Sequence, residues 1–333
     1  MYRSNRLARA FGAAALALIA WSMATPPCAA ADAFPARPIR IVVGFGPGGL
    51  GDTVTRALAQ KMTESMGQSI VVENAPGAGG ITAASNVARA APDGYTLLLS
   101  SGQNAISPFL FKSLPYDPVE SFSMISPIGT FSFVLVVDTN SAIKTIPDII
   151  AAARRDPEHF NLGTISAGSA QNLSAQLFVS MAKIRVPVVP FKSTGDVVGA
   201  LRGGEIQVAL ETVTGVLGQI RGGGLRAIAT TAPKRLSFLP EVPSVAESGV
   251  PGLTSYASDS WNGIVAPAGV PRDIVARLNQ EIAKALAASD LQVKLIGLGI
   301  EPKPGSPEDL RALYRNDAAK WRVVIEQAGI PKQ

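Results

Sequence analysis

The stretch IRIVVGFGPGGLGD at positions 39–52 decides the fold, because a short run of β-branched residues passes directly into a glycine-rich loop. The next residues, 53–66, place apolar side chains such as Val54 and Leu58 on one side of a helix. A buried strand, a glycine loop and an amphipathic helix in this order predict the first unit of a parallel α/β sheet.

The same order repeats immediately downstream. Residues 70–72 form a second β-branched run, a second glycine-rich loop follows, and residues 81–90 predict a helix before a third strand at 95–99. This βαβαβ order implies a parallel sheet with right-handed crossovers.

A second α/β series begins with a long extended stretch at 131–137. Its predicted strands lie near 160–163, 186–190, 206–210 and 225–230, and its predicted helices near 147–155, 170–182, 195–201 and 215–221. An extended piece at 261–266 and helices at 271–288 and 306–327 follow, which suggests that the tail packs back on the first series. We therefore expect two lobes joined by two crossings that form a hinge, with lobe 1 at 32–130 and 255–333 and lobe 2 at 131–254.

Residues 1–31 have the features of a secretory signal peptide. Three arginines within the first nine residues precede an apolar run at 11–23 that is too short to span a bilayer. We expect cleavage and a periplasmic mature protein. Cleavage would remove Cys28, the single cysteine, and would lower the net charge from +5 to about +2, since 27 basic side chains would then face 25 acidic ones. Such a charge gives nucleic-acid binding little support.

The first loop leaves an enzymatic alternative open. Gly44, Gly46 and Gly49 satisfy the G-x-G-x-x-G spacing of a dinucleotide-binding loop, so an NAD-binding oxidoreductase is one interpretation. Against it, Pro47 removes a backbone N–H from the phosphate cradle, and nicotinamide cofactors are not expected in the exported compartment. His159 is the single histidine and no zinc-ligand spacing occurs. We expect no enzymatic activity, no cofactor and no metal.

Four polar loops are expected to form the functional site instead. Those at 44–52, 74–80 and 100–104 follow three strands of one parallel sheet, where open α/β sheets bind ligands, and the loop at 166–172 opens a helix of the second lobe. Glycines allow close approach to the backbone, and helix N-termini carry free N–H groups and the positive end of the helix dipole. One such loop is often only a tight turn, but four at corresponding places predict a shared cleft for a small anion.

Several segments also resemble one family throughout the chain. RPIRIVV at 37–43, VVENAPGAGG at 71–80, APDGYTLLLSS at 91–101 and LPEVPSVAESGVPG at 239–252 resemble the Bug family, the extracytoplasmic solute receptors of tripartite tricarboxylate transporters. The resemblance implies the type II periplasmic-binding-protein fold, an α/β fold of two lobes. It also implies a small carboxylated ligand, which backbone amides, hydroxyl groups and water would hold.

The resemblance also bears on single residues. The family's first loop usually reads P-F/Y-x-P-G-G-x-x-D; this chain matches it at Phe45, Pro47, Gly48, Gly49 and Asp52 and has Gly44 in place of the first proline. Asn104 and Asn172 stand where many members have histidine, and Glu211 matches a frequent aspartate. Asp52 either stabilises the helix that begins beside it or faces the cleft, and Glu211 is either a solvated strand end or a contact.

The expected ligand is a dicarboxylate, tricarboxylate, aromatic acid or acidic amino acid. The expected partners are the membrane permease subunits of a tripartite tricarboxylate-type transporter; presentation of the ligand to a sensor kinase is an alternative, and we expect a monomer. The candidate ligand-binding residues are Phe45, Gly46, Gly48, Gly49, Asp52, Gly79, Ser100, Ser101, Asn104, Ser166, Gly168, Ser169, Asn172 and Glu211.

Overall fold

The computed structural model describes residues 34–165, 167–327, 329–330 and 332. The predicted signal peptide at 1–31 lies outside the described residues. The chain divides into two units, Met1–Ala36 and Arg37–Gln333. The described residues of the first unit, 34–36, belong to no helix or strand, and all that follows concerns the second unit.

The second unit contains eleven described strands. They are β1 (Ile39–Val43), β2 (Ile70–Asn74), β3 (Thr96–Ser101), β4 (Phe122–Phe131), β5 (Phe133–Asp138), β6 (Leu162–Ile165), β7 (Val188–Phe191), β8 (Val208–Thr212), β9 (Leu225–Thr230), β10 (Ser260–Pro267) and β11 (Ile300–Pro302).

Ten α-helices are described with them. They are α1 (Leu50–Met66), α2 (Ile81–Ala88), α3 (Gly102–Leu110), α4 (Ile146–Arg155), α5 (Ala170–Met181), α6 (Thr194–Gly203), α7 (Val213–Arg221), α8 (Arg272–Ala287), α9 (Ser289–Gly297) and α10 (Pro307–Gln327). Two short 3₁₀ helices lie at Ala78–Gly80 and Val245–Ser248. No helix among these residues is long and apolar enough to cross a membrane.

The strands form two separate sheets. The first has the order β11-β4-β10-β3-β1-β2, in which β1 is parallel to β2 and β3 while β10 is antiparallel to β3 and β4. The second has the order β7-β6-β8-β5-β9, in which β6 is parallel to β7 and β8 while β5 is antiparallel to β8 and β9. Each sheet with its helices makes one lobe, so the predicted two-lobed α/β architecture is confirmed.

The central strand of the second sheet shows why its sequence is a continuous apolar run. Successive side chains of a strand point to opposite faces. In β5, Phe133, Leu135 and Val137 pack in a cluster with residues of α4 and α5, whereas Val134 and Val136 pack with residues of α6 and α7. Both faces of the sheet are covered, and every β5 residue from Phe133 to Val137 is therefore buried.

The chain passes between the lobes twice. The first crossing is the single buried residue Ser132, between β4 and β5. The second lies between β9 and β10, where the amide of Ser258 donates to the carbonyl of Thr231 (2.9 Å) and the amide of Thr231 donates to the carbonyl of Phe133 (2.9 Å). These bonds hold the two crossings side by side.

The extended stretch predicted at 131–137 is not one strand. It contains the last residue of β4, the crossing at Ser132 and most of β5. The helices α8 and α10 pack against β4 of the first sheet. The residue limits of the lobes, 32–130 with 255–333 and 131–254, remain a prediction.

Candidate functional site

A cavity of about 660 Å³ lies between the two sheets. The first lobe lines it with Phe45, Gly49, Leu50, Gly51, Gly79, Ser101, Gln103, Leu110, Phe111, Phe131, Ser260 and Asn262. The second lobe lines it with Ile165, Ala167, Gly168, Ser169, Ala170, Gln171, Thr194 and Thr212. None of these lining residues is charged, so any anion in the cavity meets dipoles rather than cationic side chains.

Helix N-termini from both lobes converge on this cavity. Gly49, Ser101, Ser169 and Thr212 are the N-cap residues of α1, α3, α5 and α7, and Thr194 is the first residue of α6. Each of these residues lines the cavity. The first N–H groups of a helix have no partner within the helix, and its dipole is positive at that end. The arrangement therefore favours anionic groups of a ligand.

Asp52 holds the two glycine loops of the first lobe together and does not line the cavity. Its carboxylate accepts hydrogen bonds from the amide of Gly48 (2.9 Å), from Nε of Arg56 (3.0 Å) and from Nδ2 of Asn74 (2.9 Å). The same Nδ2 donates to the carbonyl of Phe45 (3.1 Å). Burial raises the pKa of Asp52, but these hydrogen bonds and the charge of Arg56 outweigh it and leave the pKa lowered.

Ser100 and Asn104 form a buried network beneath the third loop. Oδ1 of Asn104 accepts from the amide of Ser101 (3.0 Å) and from Oγ of Ser100 (3.3 Å), and Oγ of Ser100 is also hydrogen-bonded to the hydroxyl of Tyr314. Neither Ser100 nor Asn104 lines the cavity. Their observed partners fix the start of α3, and with it the position of Ser101.

Asn172 has the corresponding role in the second lobe. Its Oδ1 accepts from the amide of Gly168 (3.2 Å) and its Nδ2 donates to Oγ1 of Thr164 (3.1 Å). The backbone of Gly168 is left-handed, with φ 73°, a conformation that favours glycine. Oγ of Ser169 accepts from the amide of Asn172 (3.1 Å) as the predicted N-cap of α5. Ser166 lies outside the described residues.

Glu211 is fully buried, with 0% of its surface exposed. The alternative that Glu211 is a solvated strand end is therefore wrong. It is buried because β8 is the middle strand of its sheet and Glu211 lies beneath the first turn of α6. Its Oε2 accepts from the hydroxyl of Thr194 (2.9 Å), and its Oε1 has no partner among the described residues. Burial raises the pKa of Glu211 to about 7, against the hydrogen bonds from Thr194 and from the amide of Thr212.

A family model described as "Tripartite tricarboxylate transporter family receptor" matches residues 54–330. The chain belongs to this receptor family. The family that the sequence resemblance indicated is confirmed, and with it the expected role of the chain as a solute-binding receptor rather than an enzyme. The dinucleotide-binding interpretation of Gly44, Gly46 and Gly49 is not favoured.

Solved structures agree with the family. The chain is similar to the periplasmic binding protein BugD, at 30% identity and a TM-score of 0.78 over 90% of this chain and 100% of that one. It is similar to R. palustris Rpa4515 with adipate, at 31% identity and a TM-score of 0.81 over 90% and 100%. It is also similar to MatC from Rhodopseudomonas palustris with bound malate, at 31% identity and a TM-score of 0.76 over 88% and 100%.

The receptor brings six of the predicted site residues to its cavity and places seven elsewhere. The six are Phe45, Gly49, Gly79, Ser101, Gly168 and Ser169. Gly46, Gly48, Asp52, Ser100, Asn104, Asn172 and Glu211 are not among the lining residues. Ligand contact stays a prediction for the six. Of the seven, five have buried side chains whose hydrogen bonds support the loops and helix starts around the cavity: Asp52, Ser100, Asn104, Asn172 and Glu211.

Sequence reasoning missed much of the receptor's cavity wall. The missed apolar residues include Leu110, Phe111, Phe131 and Ile165, and nothing in their local sequence distinguishes them from core residues. Thr194 and Thr212 carried a usable signal, because each opens a helix directly after a strand of the second lobe. The rule that singled out Ser169 as an N-cap applies to Thr212 and, for α6, to Ser193, the N-cap directly before Thr194.

The two lobes of the receptor touch across the cavity. Nε2 of Gln103 in α3 donates to the carbonyl of Gly168 (3.4 Å), and a side chain atom added at Gly168 would lie 3.5 Å from Leu110. Trp261, by contrast, is buried in the first lobe, where its Nε1 donates to Oδ2 of Asp317 (2.7 Å). It packs beside the second crossing and is not among the lining residues.

Proposed function

We propose that this receptor binds a small dicarboxylate with an apolar carbon skeleton and presents it to the membrane subunits of a tripartite tricarboxylate-type transporter. One observation carries the proposal: helix N-termini of both lobes meet at an uncharged cavity that also has an apolar wall. The similar structures of Rpa4515 with adipate and of MatC with bound malate support the ligand class.

The helix N-termini account for the carboxylate groups. An anion at a helix N-terminus gains about 0.3–1 kcal/mol when exposed and up to about 2 kcal/mol when partly buried. Hydrogen bonds to a charged group add roughly 1.5–3 kcal/mol each before desolvation is subtracted. Several such donors together suffice for micromolar affinity, which requires about −8 kcal/mol.

The apolar wall accounts for the carbon skeleton. Leu110, Phe111, Phe131 and Ile165 give the cavity surfaces that cannot hydrogen-bond. A carbon chain or ring between two carboxylates buries apolar area there at about 25 cal/mol per Å². This disfavours a heavily hydroxylated ligand.

The charges around the cavity disfavour two of the four ligand classes expected from sequence. An acidic amino acid needs an acceptor for its ammonium group, but the carboxylate of Asp52 is already engaged by Arg56 and Asn74 and does not line the cavity. A tricarboxylate brings three negative charges to a lining with no cation. Dicarboxylates and aromatic acids remain, and helix N-termini on both sides of the cavity favour a ligand with two carboxylates.

A ligand panel tests the proposal on the full chain, expressed with its own N-terminal segment and freed of bound ligand by unfolding and refolding. The panel contains adipate, malate, phthalate, citrate, aspartate and NAD, read by thermal shift and by calorimetry. A ligand that binds only the folded protein stabilises it by RT ln(1 + [L]/Kd). We expect a dicarboxylate to raise the melting temperature most and not to be consumed. The proposal is overturned if NAD alone raises the melting temperature, or if none of the carboxylates does.

We also propose that the chain is exported and that its first 31 residues are removed as a signal peptide. The basic start, the short apolar run and the small residues before Asp32 support this. Mass spectrometry of protein recovered from the periplasm checks it. The expected N-terminal residue is Asp32 or a close neighbour, and an intact N-terminus would contradict the proposal.

A further inference from the structure

Glu211 and Thr194 form a buried pair at the edge of the cavity. Thr194 lines the cavity, while Glu211 lies behind it with no exposed surface, and Oε2 of Glu211 accepts from Oγ1 of Thr194 at 2.9 Å. The second carboxyl oxygen, Oε1, is buried without a partner among the described residues. A buried carboxylate with one free oxygen is costly when ionised.

The hydroxyl of Thr194 has one hydrogen atom, and the protonation of Glu211 decides where it points. An ionised carboxylate can only accept, so the threonine must donate to Glu211 and presents only lone pairs to the cavity. A protonated Glu211 can donate to Oγ1 of Thr194 instead, and the threonine hydrogen is then available to a ligand oxygen. A carboxylate ligand is attracted in the second state and repelled in the first.

We propose that Glu211 is a positioning residue that makes carboxylate binding depend on its own proton, through the hydroxyl of Thr194. The inference rests on the proposed function, because it concerns the affinity of the same cavity for the same class of ligand. Glu211 itself does not touch the ligand.

The surroundings of Glu211 support a single titrating group. The elements packed against β8 are β5, β6, α5, α6 and α7, and the charged side chains on them are Asp138, Asp196, Arg202 and Arg221. Asp196 is bonded to Ser193, Arg202 is bonded to Gln219, and Asp138 and Arg221 lie at the far ends of their elements. None of the four contributes to the raised pKa of Glu211, which burial causes.

The sign of the pH dependence follows from the charge of the ligand. A carboxylate beside Glu211 disfavours its ionised form further, so binding takes up a proton wherever the free receptor is ionised at this position. Affinity is therefore highest below the pKa of Glu211, which is near 7, and falls as the pH rises through it. One coupled proton limits the change to about tenfold in Kd per pH unit.

Isothermal titration calorimetry with adipate and malate tests the inference from about pH 6 to about pH 8.5, where both carboxyl groups of either ligand are ionised. For the unaltered chain we expect Kd to rise about tenfold over this range, and titrations near pH 7.5 in HEPES and in Tris, two buffers with different heats of ionisation, to reveal proton uptake. Glu211→Gln keeps the shape and the donor of protonated Glu211. We expect it to bind with the low-pH affinity throughout and to take up no proton.

Two further variants separate this pair from other causes. Thr194→Val removes the hydroxyl, and we expect weaker binding with little pH dependence. Asp317→Asn removes a different buried carboxyl group, which accepts from Nε1 of Trp261 and whose pKa burial raises to about 6, and we expect it to keep the full dependence.

The outcomes are distinct. If the unaltered chain binds either dicarboxylate with the same Kd at both ends of the range and without proton uptake, the inference is overturned while the proposed function stands. If neither dicarboxylate binds at any pH, the proposed function fails first, and the inference with it. The buffer comparison needs only the unaltered chain, so a lack of proton uptake overturns the inference even where Glu211→Gln does not fold. Where uptake is found, its loss in Thr194→Val assigns it to this pair, and its persistence in that variant overturns the inference.

Discussion

Asp52 illustrates, at the scale of one residue, how a carboxylate near a ligand cavity can serve the protein rather than the ligand. The sequence left two roles open, helix stabilisation and ligand contact. In the structure Asp52 lies in the first turn of α1, where its oxygens accept from Gly48, Arg56 and Asn74. The bond to Gly48 fixes the loop directly before the N-cap, and no pattern in the sequence predicted it.

Asp52→Ala should lower the free energy of unfolding by about 1–3 kcal/mol, because it leaves hydrogen-bonding groups without their partner. Urea denaturation near pH 7 measures this. Glu73→Ala is the matched control: its ion pair with Arg40 is half exposed and should be worth no more than about 1 kcal/mol. Equal losses in the two variants would argue against the loop-holding role.

The lowered pKa of Asp52 also predicts how its contribution to stability changes at acid pH. The folded state lowers the pKa of Asp52 below its usual value, so its contribution to stability is present above the unfolded-state pKa of about 3.9 and is lost as the pH falls through the folded-state pKa. The unfolding curves of the unaltered chain and of Asp52→Ala should therefore converge in strong acid. A constant difference down to about pH 2 would contradict this assignment.

Gly49 and Gly46 allow a test of whether the loop before α1 borders the bound ligand. Gly49 lines the cavity with φ −70°, which any residue adopts, and Gly46 has open space around it but does not line the cavity. Gly49→Leu should keep the fold and lower dicarboxylate affinity at least about tenfold by filling the space before α1. Gly46→Leu should keep both the fold and the dicarboxylate affinity. Binding titrations and circular dichroism of both variants decide it.

At the scale of elements, the regular α/β units were predictable and the irregular ones were not. The strand at 39–43 has the limits that its sequence predicts, since β-branched residues end directly in glycines. The strand β4 was missed because its sequence, FSMISPIGTF, mixes serine, proline and glycine with apolar residues. Pairing with β10 and β11 on both sides stabilises it, and such long-range pairing leaves no local pattern.

The helix α3 was missed for a related reason. It begins at Gly102 and includes Pro108, so its intrinsic helix propensity is low. Packing against α10 compensates: Ile106 and Leu110 of α3, Leu173 of α5 and Trp321, Val324 and Ile325 of α10 form one buried cluster. This cluster joins both lobes, because α5 packs on the second sheet whereas α3 and α10 pack on the first.

Ile325→Ala should therefore cost about 2–4 kcal/mol of stability, as expected for a large-to-small change in a packed core. The side chain of Ile325 is 4% exposed, whereas Val323 on the same helix is 44% exposed. Val323→Ala should stay within about 0.5 kcal/mol of the unaltered chain. Chemical denaturation of the two variants compares them, and a similar loss in both would show that the cluster does not depend on Ile325.

At the scale of the whole molecule, the meeting of the lobes is what the sequence predicted least. The glycine loops and helix N-termini on each side were recognised, but the residues that meet across the gap depend on how the lobes are oriented. Gln103 reaches Gly168, and Thr214 is hydrogen-bonded to the carbonyl of Leu298 from the other lobe. Such contacts, like the apolar cavity wall, are set by three-dimensional placement.

Gln103→Ala should weaken dicarboxylate binding about two- to tenfold, because it removes a hydrogen bond between the lobes worth about 0.5–1.5 kcal/mol. Gln207→Ala is the control, since Nε2 of Gln207 donates to the carbonyl of Gly204 within its own lobe. Calorimetry gives the affinities, and small-angle X-ray scattering with and without adipate gives the change in dimensions. Unchanged affinity in Gln103→Ala would show that this contact between the lobes does not contribute to binding.

The uncharged lining of the cavity has a consequence for the surroundings in which the receptor works. A site that relies on arginine or lysine loses attraction as dissolved ions screen its charges, over a distance of about 8–10 Å at ordinary ionic strength. Backbone dipoles in direct contact with an enclosed carboxylate are screened far less. The affinity for the ligand should therefore vary little with ionic strength, so one receptor would serve a bacterium in both dilute and saline media.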